Sequence, residues 1–180
     1  MPVPPEVEAL SDHVSERTRR RLLDLTNDEF QWVPFEDCWH AGADGLGGFR
    51  YDLQLPASGA QPFTTLAWRL FHLMGCYSGD RNAMLLGLEQ GRDPLLQRAH
   101  TVASATDALD VLVACQDLWS RFLHEVTDDT LKSPLGERAG DYGEATGLDL
   151  VLHQIDEHIH HGAELGLLRD LYQVQQPIPG

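Results

Sequence analysis

Leu150 to Tyr172 reads LVLHQIDEHIHHGAELGLLRDLY. Four histidines and three carboxylates fall within the twelve residues from His153 to Glu164, inside an otherwise apolar run. At about 100° of rotation per residue, Leu148, Leu152, Ile155, Ile159, Ala163 and Gly166 gather on one face, so the spacing predicts an amphipathic helix. Thr146 followed by Asp149 supplies a capping box at its start. On this wheel Asp156 and His160 sit one turn apart beside the apolar stripe, and Glu164 continues their row. His153, Glu157 and His161 make a second row further round, and His158 falls on the outer face.

A carboxylate and an imidazole turned toward a core need partners, because burying even a neutral polar group without a hydrogen bond costs roughly 2–7 kcal/mol and a charge costs more. At i and i+4 the two side chains lie on one helix face, about 5–6 Å apart at Cβ, and can converge on a divalent metal. A hydrogen-bonded Asp/His pair, or a solvated polar stripe, satisfies the same row without a metal. Ligands from elsewhere in the chain decide between these readings.

The chain has 180 residues, enough for one domain with a sizeable core. It is 42% hydrophobic and 23% charged, as soluble globular proteins are. No apolar run reaches about 18 residues, and MPVPPEVEAL lacks a basic segment followed by an apolar one. Neither a membrane span nor a signal peptide is expected, and the cytoplasm is the expected compartment. A formal charge of −15 repels a phosphate backbone and argues against nucleic acid or an anionic membrane as partner. The three cysteines, Cys38, Cys76 and Cys115, form no CxxC and suit a reducing compartment. Cys76 and Cys115 read as small core residues in helical stretches.

Three further helices are predicted. Val7, Leu10, Val14, Leu22 and Leu25 repeat at helical spacing over residues 5–26, after Pro4 and Pro5. Pro62 opens a second run to Gly87, with Phe63, Leu66, Leu70, Leu73, Met74 and Tyr77 on one face and Trp68, His72 and Cys76 in a four-spaced row on another. Thr101 to Val126 carries Val102, Ala105, Leu109, Leu112, Trp119, Leu123 and Val126. Between the first two helices, residues 30–62 lose periodicity, are rich in glycine (42, 45, 47, 48 and 59), and repeat aromatics at Trp32, Phe35, Trp39, Phe49 and Tyr51. Loops this long tend to be lids or binding segments. Residues 127–145 form a second long connector and the tail QQPIPG is expected to be loose.

The expected architecture is all-α: a four-helix bundle of one domain over 1–180, with long connections between helices one and two and between three and four. Bundles build metal sites from side chains on facing helices, so His72 on the second helix can meet Asp156 and His160 on the fourth. His13, His100 and His124 read as surface residues, and His40 sits beside Cys38 and Trp39 within reach of a site.

PFTTLAWRLFHL (62–73), DEHIHHGAELGLLRDLY (156–172) and the loop fragment EDCWHAG (36–42) resemble the DinB-like superfamily of bacterial four-helix metalloproteins, particularly its actinobacterial members. The resemblance follows the element order over residues 6–173. It implies a divalent metal held by one histidine of the second helix and an HxxxH pair of the fourth. His72 would then be the first ligand and His160 the last, with Asp156 in the middle position that the family usually gives to histidine. Such a set is compatible with Zn, Ni, Fe(II) or Mn and leaves positions open. Glu157 or His153 are alternative middle ligands, and His161 and Glu164 are candidates to orient the ligands from behind.

What the resemblance implies about activity is metal-dependent chemistry with a low-molecular-weight thiol, an S-transferase or isomerase of the mycothiol, bacillithiol or glutathione type acting on a small electrophile. Trp39, Arg50 and Tyr51 of the long loop would then contact the cosubstrate, and a homodimer is the family's habit. A non-catalytic bundle binding a small ligand or partner, with a structural or vestigial polar row, is the competing reading, since a fold does not establish a function.

Overall fold

The computed structural model describes residues 3–43, 49–53, 62–77, 79–88 and 94–175. The glycines at 45, 47, 48, 59 and 91, Asp93 and the tail beyond Gln175 lie outside the described residues. In chain order the elements are α1 (Pro5–Arg21), α2 (Asn27–Gln31), β1 (Ala41–Ala43), β2 (Phe49–Tyr51), α3 (Leu66–Cys76), α4 (Gly79–Leu85), α5 (Pro94–Ala99), α6 (Ala105–Glu125), α7 (Asp128–Lys132) and α8 (Gly147–Gln175). A 3-10 turn over Glu137–Tyr142 precedes α8. The protein is an all-α bundle in which α1, α3, α6 and α8 pack on one another. As predicted, the long connections fall between α1 and α3 and between α6 and α8.

The boundaries follow local chemistry. The first helix stops at Arg21, short of the expected residue 26, because Asp24 adopts a left-handed φ of 58°. Thr26 then caps α2 by accepting from the Glu29 amide. The second helix starts at Leu66 rather than Pro62, with Thr65 Oγ1 accepting from the Trp68 amide. It is not continuous to Gly87: α3 ends at Cys76, whose carbonyl accepts from Asn82 Nδ2 at 2.9 Å, and α4 follows. The capping box predicted for α8 is present, with Asp149 Oδ2 accepting from the Thr146 amide and hydroxyl and Thr146 Oγ1 accepting from the Asp149 amide.

The aromatic stretch before α3 forms a small antiparallel hairpin, with Ala41 opposite Tyr51, Gly42 opposite Arg50 and Ala43 opposite Phe49. It is fastened to α3. Trp39 donates its amide to Phe63 and accepts from Thr65, and Trp68 Nε1 donates to the Asp52 carbonyl at 2.7 Å. Phe49 and Tyr51 pack on Phe71.

The inward face of α8 differs from the one the apolar wheel selects. Gly147, Leu150, Val151, Gln154, Ile155, His158, His161, Leu165 and Leu168 are buried, whereas Leu152 and Leu167 are 44% and 63% exposed. The buried line includes a glutamine and two histidines, so a wheel drawn through apolar residues alone is rotated away from it. His158, placed on the outer face by that wheel, is fully buried, bonded to Tyr77 Oη at 2.5 Å and to Gln116 Nε2 at 3.4 Å. Gly162 lets α1 and α8 approach closely, since a Cβ there would stand 2.7 Å from Thr18 Oγ1.

Candidate metal centre

The rotation of α8 decides which polar side chains meet α3. Glu157 and His161, one turn apart, are turned toward His72. Glu157 Oε2 lies 3.4 Å from His72 Nε2 and 3.1 Å from His161 Nε2. One donor atom from each of the three residues lies within 4.8 Å of the other two. Asp156 and His160, the pair favoured by the sequence wheel, are solvent-exposed. His160 is 62% exposed and pairs with Glu164 at 3.3 Å. His153 is exposed as well. The expected centre of His72, Asp156 and His160 is therefore not assembled, and the assembled one uses the alternative Glu157 as its middle member with His161 in place of His160.

Each imidazole is held from behind. His72 Nδ1 lies 3.0 Å from Tyr51 Oη, and the ring stacks on Trp68 at 5.0 Å with planes 6° apart. Trp68 in turn stacks on Tyr51 and meets Trp39. His161 Nδ1 lies 2.7 Å from Glu164 Oε2, and Arg69 Nε lies 2.9 Å from the same oxygen. Glu164, a candidate to orient a ligand from behind, lies against Nδ1 of His161 and Nε2 of His160. Arg69 and Cys76, the residues of α3 flanking His72, were not singled out as members of a site. Cys76 is half-buried and donates from Sγ to Glu157 Oε2 at 3.7 Å. The only signal for it was its place in the four-spaced row with Trp68 and His72.

The environment tunes protonation in one direction. Burial, then the neighbouring His161, holds His72 below the ordinary histidine value, so its ring is neutral at pH 7. Burial works to raise Glu157 and Glu164, but hydrogen bonds with His72 and His161 respectively, together with nearby positive groups, outweigh it. Both carboxyls sit below the usual range. Burial and the Glu157 carboxylate push the Cys76 thiol up to about 12. Neutral imidazole and ionised carboxylate are the forms that donate electron pairs to a cation.

The donor chemistry fits a divalent cation. Ligand bonds of about 2.1 Å in a tetrahedral or octahedral shell place neighbouring donors roughly 3.0–3.4 Å apart, and Glu157 Oε2 stands at 3.4 and 3.1 Å from the two Nε2 atoms. With a cation at Nε2 of each ring, Nδ1 would carry the proton, facing Tyr51 in His72 and Glu164 in His161, where Arg69 Nη1 also lies 3.1 Å from the same nitrogen. Of the expected cosubstrate contacts, Tyr51 reaches the centre through His72. Trp39 reaches it only through Trp68. Arg50 is turned to solvent and paired with Asp52 at 2.7 Å. Trp39, Arg50, Tyr51 and Cys38 line an open cleft of about 570 Å³ beside the hairpin.

The sequence model of the DinB superfamily matches residues 11–165. No curated protein matches the chain. Among solved structures, the bundle is similar to the crystal structure of a conserved protein from Enterococcus faecalis, with a TM-score of 0.64 at 14% identity over 97% of this chain and 99% of that one. At that identity the likeness is one of fold. No helix among the described residues is long and apolar enough to cross a membrane.

Proposed function

The chain belongs to the DinB superfamily, and on that premise we propose that it is a divalent-metal-dependent enzyme acting on a small electrophile with a low-molecular-weight thiol, as an S-transferase or isomerase. The observation that carries this reading is the convergence of His72 Nε2, Glu157 Oε2 and His161 Nε2 with their Nδ1 atoms engaged by Tyr51 and Glu164. When bound, a zinc, nickel or iron(II) ion supplies a Lewis acid that lowers the pKa of a coordinated thiol or water.

The chain's own residues do the rest. Nε2 of His72 and of His161 would hold the cation, and Glu157 would contribute one negative charge, leaving a dication only partly neutralised and able to attract a thiolate. Trp68 and Tyr51 hold the His72 ring in place and wall one side of the centre against water. Tyr51 belongs both to this wall and to the cleft beside the hairpin, whose lining includes none of the three donor residues. The overall charge of −15 leaves anionic polymers as poor ligands and is compatible with a small neutral or cationic substrate.

Elemental analysis of untagged protein, followed by a screen of thiols against small electrophiles, tests the proposal. Stoichiometric metal and thiol-dependent turnover, both lost in His161→Ala, are the expected result. Absence of metal after reconstitution with Zn, Ni and Fe(II) overturns it.

A further inference from the structure

His161 offers donors on two sides. Its Nε2 faces Glu157 at 3.1 Å, in the group with His72, and its Nδ1 faces Glu164 Oε2 at 2.7 Å. Glu164 Oε1 in turn lies 3.3 Å from His160 Nε2, so His160, His161 and Glu164 form an outer group in which one atom from each lies within 4.8 Å of the other two. Two imidazoles and a carboxylate are the same donor chemistry as the inner group. The outer group, however, already holds a positive charge. Arg69 of α3 places Nε 2.9 Å from Glu164 Oε2 and Nη1 3.1 Å from His161 Nδ1, with its guanidinium carbon 4.9 Å from the centre of the Trp68 ring and only 18% of the side chain exposed. It touches two of the three outer residues, as a bound cation would.

We propose that the Arg69 guanidinium is the resident cation of the outer group, so that the α3–α8 contact takes one divalent ion, between His72, Glu157 and His161, and none at Glu164. This rests on the metal-centre reading above and gives Arg69 the role of setting how many ions bind and where. A guanidinium keeps its charge and carries only donors, so it competes with a metal for a carboxylate and never joins it as a ligand. A divalent ion at Glu164 would have to displace Arg69 from its counter-charge and sit beside the freed cation, where the Trp68 face is what remains to receive it. Filling both groups would also strip both ring protons from His161, which would have to bridge the ions as imidazolate. With Arg69 paired to Glu164, Nε2 of His161 is the nitrogen left for the ion.

Zinc titration of the metal-free full-length chain to saturation, with elemental analysis of the products, tests this. The expected result is one zinc in the wild type, in His160→Ala and in Arg69→Lys, which keeps the charge. Arg69→Met, which keeps the length of the side chain but not the charge, should take two, and adding His160→Ala to it should return the count to one. A variant that is merely disturbed loses ions and does not gain one. Histidine ring-nitrogen resonances give a second readout: zinc should move those of His72 and His161 in the wild type, and those of His160 only once Arg69 is replaced. Two ions in the wild type, or fewer than two in Arg69→Met while the wild type binds one, overturns the role of Arg69 and leaves the inner centre standing. Zinc bound by Arg69→Met alone, and lost with His160→Ala, overturns the inner centre and leaves Arg69 as the cation of the outer group. No zinc in either protein overturns both.

Discussion

Tyr51 Oη lies 3.0 Å from Nδ1 of His72, so a residue of the hairpin governs the orientation of a side chain on α3. Tyr51 also stacks on Trp68, which stacks on His72, and Trp68 is tied back to the hairpin through the Asp52 carbonyl. The hairpin and the ring it holds form one packed unit. Burial raises the Tyr51 hydroxyl above its ordinary value, which keeps it neutral and able to accept from an Nδ1–H.

Tyr51→Phe keeps the ring and its stacking but removes this partner. Metal affinity should fall about 10- to 100-fold, the usual effect of deleting an outer partner of an imidazole ligand. Competition titration against a chromophoric chelator checks it. Unchanged affinity would show that Trp68 stacking alone fixes the ring.

Adjacent residues of α8 should differ sharply. Glu157→Gln and His161→Ala should lose stoichiometric metal, because their donor atoms lie in the cluster with His72. Asp156→Asn and His160→Ala should retain it, because both side chains face solvent. Elemental analysis of the four variants side by side decides the matter, and the reverse pattern would restore the set expected from the sequence wheel.

The helical periodicity and the capping box at Thr146 were legible in the sequence, because each depends on local spacing; His72 was singled out with the help of the family resemblance, and the structure sets it against Glu157 and His161. The rotation of α8 was not legible. Its inward line passes through Gln154, His158 and His161, and nothing in the local sequence shows that Tyr77 and Gln116 await His158 there. An apolar wheel weights Leu152 as core, yet it is 44% exposed. A rotation of one residue, about 100°, separates Asp156 and His160 from Glu157 and His161. The two short strands of the hairpin were hidden for a different reason: three-residue strands carry too little alternation to read, and they exist through long-range ties to α3.

A second interaction without a local signal joins the ends of the bundle. Arg169 Nε and Nη2 donate to Glu29 at 2.6 and 3.1 Å, while Nη1 donates to the Arg21 and Leu23 carbonyls at 2.6 and 2.7 Å. It therefore satisfies carbonyls at the end of α1 as well as a buried carboxylate. Arg169→Ala should destabilise by about 3–5 kcal/mol, because it strands Glu29 without a counter-charge. Arg169→Met with Glu29→Leu should recover part of that loss. Urea unfolding of the metal-free proteins measures both, and a loss below about 1 kcal/mol in the single variant would place this pair with the weak surface bridges.

His158 gives the protein an acid sensitivity of definite sign. Burial first, then the positive charges of Arg17 and Arg19, pushes it down to about 3 from an ordinary value of 6.5. The folded state keeps the ring neutral while the unfolded chain takes up a proton as pH falls through 6.5. Its contribution to stability is thus complete above that value and is lost as pH drops toward about 3, at up to about 1.4 kcal/mol per pH unit for one proton. His72, also depressed, adds to the slope in metal-free protein. Between pH 6 and 5, roughly above the range where carboxylates titrate, urea midpoints of the metal-free chain should fall with pH. His158→Gln should lower stability at pH 7, by leaving Tyr77 and Gln116 imperfectly paired, and reduce the slope below pH 6. A slope unaltered by the substitution would mean that the buried ring does not carry the effect.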